Sequence, residues 1–194
     1  MLDYEIVNKE THRNIHFKTP SSFSFAQNES MLPVGHSELP VLAKDLPIVF
    51  IKGNDGKFHL TLLLSLIPGD NELIDENGAW KLPYVPAILR CHPFKLISVQ
   101  DSKGMAAPQK VLAFMKNTPF LSFKNEEGTT PLFDTEGALT QRAQHLNKLL
   151  SSLDQETTNT GQRLQKLFEL DLLAELSTVD KENTRQIGGI HPVR

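Results

Sequence analysis

The chain has 194 residues, 39% of them apolar and 22% charged, and a formal net charge of −3. This is an ordinary soluble globular composition, long enough for one domain with a substantial core. The acidic balance, with no block of like charge, argues against a general nucleic-acid binder. A lone cysteine, Cys91, excludes an intrachain disulfide and a thiolate metal cage.

The opening "MLDYEIVNKETHR" carries acidic residues at once and has no apolar stretch of the kind a cleaved signal peptide needs. The most apolar run, Leu60 to Ile67, is far short of the roughly 20 residues of a membrane-spanning helix. A lone thiol fits a reducing compartment. The expectation is a cytoplasmic protein with no membrane span, with surface association by another export route left open.

In chain order, "YEIV", "IHF" and "FSFA" are candidate strands. "GHSELPVLAKDLP" predicts a short helix, with Ser37 as N-cap, Pro40 in the first turn and Pro47 preventing extension. "IVFI" and "FHLTLLLSL" flank the turn "GNDG" and predict antiparallel strands. The poor alternation of Leu62 to Leu64 implies cover on both faces. Asn77-Gly78 predicts a type I′ turn, with both residues at positive φ, pairing "NELI" with "AW". Pro83, Pro86 and Pro93 then constrain the chain, and "AILRCH" predicts about two helical turns. "FKLISVQ" and "KVLAFM" read as strands around "DSKG", and "TPLFDTEGALT" as a strand running into a turn.

From residue 138 the pattern changes. Leu139, Ala143, Leu146, Leu149, Leu150 and Leu153 fall at helical spacing, as do Leu164, Leu167, Phe168, Leu172 and Leu176. The polar "SSLDQETTNTG" reads as their connector. The expected fold is therefore α+β: an antiparallel β-rich body with short helices, followed by a C-terminal helical hairpin. The expected organisation is a single domain over 1–177, with a β-rich body over 1–135, two helices over 138–177, and a polar tail over 178–194. No internal repeat is expected.

The motifs of known chemistry are missing. His12 and His16 lack a third ligand at useful spacing, so surface histidines are expected and no metal site. "GHS" lacks the nucleophile-elbow pattern, and "GNDGK" lacks Walker spacing. The acidic run Asp70, Glu72, Asp75 and Glu76 lacks the EF-hand pattern and reads as a solvated turn. Cys91 reads as a small buried hydrophobe. Arg90 reads first as a structural partner of an internal acid and second as a clamp for carboxylate or phosphate.

"WKLPYVPAILRCHPF" resembles the signature of the SapC family of bacterial proteins, through Trp80, Tyr84, Val85, Pro86, Arg90, Pro93 and Phe94. "LPIVFIK", Glu38, "GDNELIDENGAW", "PLFDTEG" and His16 extend the resemblance over most of residues 14–175. Cys91 and His92 stand where the family has arginine and tyrosine, and "NELI" replaces its Asn-Leu-Phe. The family generally continues past a Gly-aromatic-x-Val segment near residue 190, so the expectation is either a short member or a fragment of a longer one. The resemblance implies, by name, an association with bacterial surface layers, and it brings no catalytic residues.

The expected function is that of an interaction, regulatory or surface-layer-associated protein without catalysis, cofactor or metal. Its protein partner, or a second copy of itself, would meet a surface around Trp80, Tyr84, Arg90 and the amphipathic helices. The alternative is a small-molecule binder or enzyme, with Arg90, His92 and Glu38 as the polar groups of a pocket walled by Trp80 and Tyr84.

Overall fold

The computed structural model describes residues 3–53, 56–100 and 108–173, and the backbone of 176–179 and 184–190. The elements are β1 (Tyr4–Ile6), β2 (His16–Phe17), a 3₁₀ turn (Ser24–Ala26), β3 (Met31–Pro33), and a 3₁₀ turn (His36–Glu38) running into α1 (Leu39–Leu42). β4 (Ile48–Lys52), β5 (Phe58–Leu63), α2 (Ala87–Arg90), β6 (Phe94–Val99) and β7 (Gln109–Met115) follow. β8 (Leu121–Ser122), β9 (Thr130–Pro131), α3 (Gln141–Glu169), β10 (Leu176–Val179) and β11 (Thr184–Ile190) complete the order. Every strand pairing between these elements is antiparallel, and the fold is α+β.

The chain forms two compact units. The first comprises Met1–Ser21 and Ala87–Ser152. It holds the sheet β1-β7-β6, the small sheet β8-β2-β9 and the start of α3. Its core gathers Ile15, Phe17, Cys91, Phe94, Phe114, Leu132, Phe133, Ala143 and Leu150. Ala143 and Leu150, seven residues apart, lie on one face of α3, as the sequence spacing requires.

The second unit comprises Ser22–Pro86 and Leu153–Arg194. Its sheet is β3-β5-β4, with β10-β11 as a separate pair. Leu60 and Leu62 are buried on the central strand β5, while Phe58 packs with Leu164 and Leu173. Within α3, Gly161 permits a close approach of the Phe58 backbone: a Cβ there would stand 2.8 Å from the Phe58 carbonyl oxygen.

The two units repeat one plan, where sequence periodicity showed none. Each has a first strand (β3 or β1), then a short helix (α1 or α2) and a proline (Pro47 or Pro93). A hairpin follows (β4-β5 or β6-β7), and its second strand takes the centre of the sheet. Each then reaches the same turn: "LIDENGAW" at 73–80 and "LFDTEGAL" at 132–139. In both, the aspartate Oδ1 accepts from backbone amides two and four residues on, Asn77 and Ala79 for Asp75, Glu136 and Ala138 for Asp134. In both, glycine takes φ 81° and the flanking residues form an isolated bridge, Ile74 with Trp80 and Phe133 with Leu139. The repeat escapes sequence inspection because the two hairpin-to-turn spans differ in length.

Several expectations are corrected. The helical hairpin is one helix of 29 residues. The polar connector continues it, and within it the Ser151 and Thr158 hydroxyls donate to the carbonyls of Asn147 and Asp154 one turn back, which satisfies these side chains without breaking the helix. The helix ends at Glu169, so Leu172 is exposed and Leu176 starts a strand. The polar tail contains β11, paired with β10. "FSFA" is a 3₁₀ turn, and α2 is a single turn. Only Gly78 of the Asn77-Gly78 pair has positive φ, because the Asp75 carboxylate stabilises a longer loop than type I′. Ser37 caps no helix; its hydroxyl donates to Glu156 at 2.8 Å. Residues 101–104 ("DSKG"), with Asn54 and Asp55 of "GNDG", lie outside the described residues.

Candidate functional site

Pro86 precedes α2 and Pro93 follows it closely, which limits the helix to one turn. Ala87 and Leu89 are buried, which leaves Arg90 exposed at its end. The next two residues turn inward. Cys91 joins the core, and His92 is 8% exposed with its ring edge-on to Phe120 at 5.4 Å. Burial pushes the His92 pKa down to about 4, so the ring is neutral near pH 7.

Two further segments meet Arg90 and His92. Lys18 and Thr19 follow β2, where the Lys18 amide donates to the Phe120 carbonyl at 3.1 Å. Arg142 and His145 lie in the first turns of α3, three residues apart and therefore on one side. The Arg142 guanidinium donates to the Thr130 hydroxyl at 2.9 Å and to the Thr19 hydroxyl, and it sits 5.7 Å from the Phe17 ring centre. Neutral hydroxyls thus orient this cation without cancelling its charge.

Together these residues line a concavity of about 230 Å³, with Phe17, Cys91, Leu146 and Leu149 as its apolar wall. Three permanent cations, Lys18, Arg90 and Arg142, and two imidazoles face it, and no aspartate or glutamate is in the lining. Among the described residues neither Lys18 nor Arg142 forms an ion pair. A wall of this kind favours an anion with a small apolar body.

A second concavity of about 320 Å³ in the same unit has compensated charges. Lys116 lies 3.4 Å from Glu5 and 3.7 Å from Asp3, and Glu5 also meets His12 at 3.1 Å. Desolvation raises the Glu5 pKa, but bonds from His12 and Lys116 outweigh it and hold the carboxyl below its ordinary range. His12 is buried, contrary to the expected surface position, because its Nδ1 accepts the Asn8 amide at 2.9 Å while Nε2 faces Glu5. His92 is the other buried histidine among the described residues. No group of three or more His, Cys, Asp or Glu is placed to hold a metal among them.

The remaining expected site residues belong to the second unit. Glu38, 5% exposed, accepts the Tyr84 hydroxyl at 3.0 Å and the Gly35 amide at 3.3 Å. The Trp80 indole donates to the Tyr84 carbonyl at 2.8 Å and packs edge-on to Phe23. These three residues brace one another, while Arg90 and His92 line the pocket of the first unit. Sequence reasoning missed Lys18, Thr19, Arg142 and His145. The one legible signal was the i, i+3 spacing of Arg142 and His145 on a predicted helix.

The molecule is thus an α+β protein with a small cationic pocket. The SapC family model matches residues 7–194, and the chain belongs to that family. No curated protein and no solved structure shows significant similarity to it. No helix of the described residues is long and apolar enough to cross a membrane.

Proposed function

We propose that this SapC protein works by binding, without catalysing a reaction, and that its first unit captures a compact anionic group on a ligand or partner. The carrying observation is that Lys18 and Arg142, neither of them in an ion pair among the described residues, line one small concavity together with Arg90 and with no aspartate or glutamate in the lining. Arg90 in this reading is a clamp, consistent with its exposure at the end of α2. Glu38, Trp80 and Tyr84 give the second unit a rigid shape, and a partner surface there is a matter of form rather than charge. A reducing, cytoplasmic setting suits the single buried thiol, Cys91.

The test is calorimetric titration of the whole chain with small organic anions and their neutral isosteres. Anions should bind, with affinity falling as salt rises, and neutral isosteres should not. Equal affinity for charged and neutral compounds would remove the basis of the reading. Arg90→Gln should weaken anion binding at least tenfold and leave thermal stability within a degree or two.

A further inference from the structure

Resting on the anion-binding reading, we infer that the anionic group captured by the first unit belongs to a second copy of this chain, and that it is carried by the turn at 67–70.

Lys18 and Arg142 form no ion pair among the described residues, and no aspartate or glutamate lines their concavity. Arg90 lines the same space and already interacts within the chain, so the charge that invites a partner is that of Lys18 and Arg142. The Arg142 guanidinium is held by the Thr19 and Thr130 hydroxyls, so its side-chain freedom is spent before anything binds. Phe17, Leu146 and Leu149 add an apolar wall. The concavity, about 230 Å³, is smaller than the roughly 300–1,000 Å³ of pockets for drug-sized ligands. It suits a carboxylate side chain with an apolar neighbour.

The turn at 67–70 presents that pair. The Ile67 carbonyl accepts the Asp70 amide at 3.2 Å and Gly69 takes φ 78°, which with Pro68 makes a type II turn. The ends of such a turn lie within about 7 Å, so Ile67 and Asp70 are neighbours. Leu66 and Ile67 are 56% and 58% exposed, two adjacent apolar side chains left in water. Asp70 and the exposed Glu72 accept from the Ser65 hydroxyl at 3.5 Å and 3.0 Å, and neither forms an ion pair among the described residues. The same hydroxyl accepts the Ile67 amide at 3.0 Å. Buried Asn71 ties down the far end, donating to the Ala26 carbonyl at 2.9 Å and accepting the Leu73 amide at 3.0 Å. The turn is therefore a pre-formed ridge of apolar side chains and negative charge, complementary in both respects to the concavity.

Pocket and ridge are different surfaces, so the contact is heterologous and joins copies head to tail. A contact this small belongs to the weak class of interfaces. Each chain carries a net charge of −3, yet at physiological ionic strength screening over about 8 Å leaves the local pairing to decide.

Sedimentation velocity of the full chain at pH 7 tests this over roughly 10 µM to 1 mM, the range of weak contacts. In about 20 mM salt the mean mass should exceed the monomer and rise with concentration, and in about 500 mM salt it should return to the monomer. Lys18→Glu and Asp70→Lys should each weaken association tenfold or more. Mixing the two variants should restore it, because each then offers the other an opposite charge. Such recovery also shows that both variants are folded. A monomer at every concentration would overturn self-association. Small organic anions that still bind the pocket would then leave the anion reading standing, and their failure to bind would sink both. Association that persists in high salt, or in both variants, would remove the charge pairing. Loss in only one variant would overturn the match of this turn to this pocket, as would two weakened variants that fail to recover when mixed.

Discussion

Arg90 carries the strongest contrast between residue type and environment. An arginine between apolar neighbours invites an internal acid partner, and removing one member of a fully buried pair would cost roughly 3–5 kcal/mol. The residue is exposed, so Arg90→Ala should change unfolding free energy by less than about 1 kcal/mol in urea titrations. His92 behaves in the opposite sense. Its folded pKa of about 4 lies below the ordinary 6.5, so the unfolded chain takes up the proton more readily. Its contribution to stability is complete above pH 6.5 and is lost as pH falls towards 4, on the order of 3 kcal/mol in total. His92→Phe should flatten that part of the stability-pH curve, and an unchanged slope would show that the imidazole is more solvated than its burial implies.

At the scale of elements, the duplicated turn offers an internal control. Gly78 and Gly137 share φ 81°, a conformation that costs an L-residue roughly 1–2 kcal/mol. A Cβ at Gly137 meets nothing within 4 Å, whereas one at Gly78 collides with the Ser22 and Ser24 hydroxyls. Gly137→Ala should therefore cost about 1–2 kcal/mol and Gly78→Ala measurably more, as read from denaturation midpoints. The long helix makes a parallel case. Glycine inside a helix is ordinarily about 1 kcal/mol worse than alanine. Gly161→Ala should nevertheless destabilise, because the added carbon meets the Phe58 backbone. The strands β4 to β7 were legible because β-branched and apolar runs between turns have few other uses. The join of two expected helices into α3 was not. Weak propensity in "SSLDQETTNTG" is a cost of only a few tenths of a kcal/mol per residue, and packing at both ends overrides it.

For the whole molecule, a net charge of −3 coexists with a pocket lined by three permanent cations. At physiological ionic strength the screening length is about 8 Å, so a bound anion senses mainly the pocket's own charges. A small organic anion that binds the pocket, at about 100 times its dissociation constant, should add roughly 2.7 kcal/mol of stability. For a chain of this length that is a rise in Tm of about 5–10 °C, visible by scanning calorimetry. The sequence by itself determined the α+β class, the antiparallel hairpins, the burial of Cys91 and the family resemblance. These follow from periodicity, turn chemistry and side-chain polarity, which act over a few residues. Only the tertiary structure decided that Lys18 and Arg142 share a wall with Arg90, and that one plan occurs twice. Charge convergence and topological equivalence are relations between segments far apart along the chain, and local pattern carries no record of which segments folding brings together.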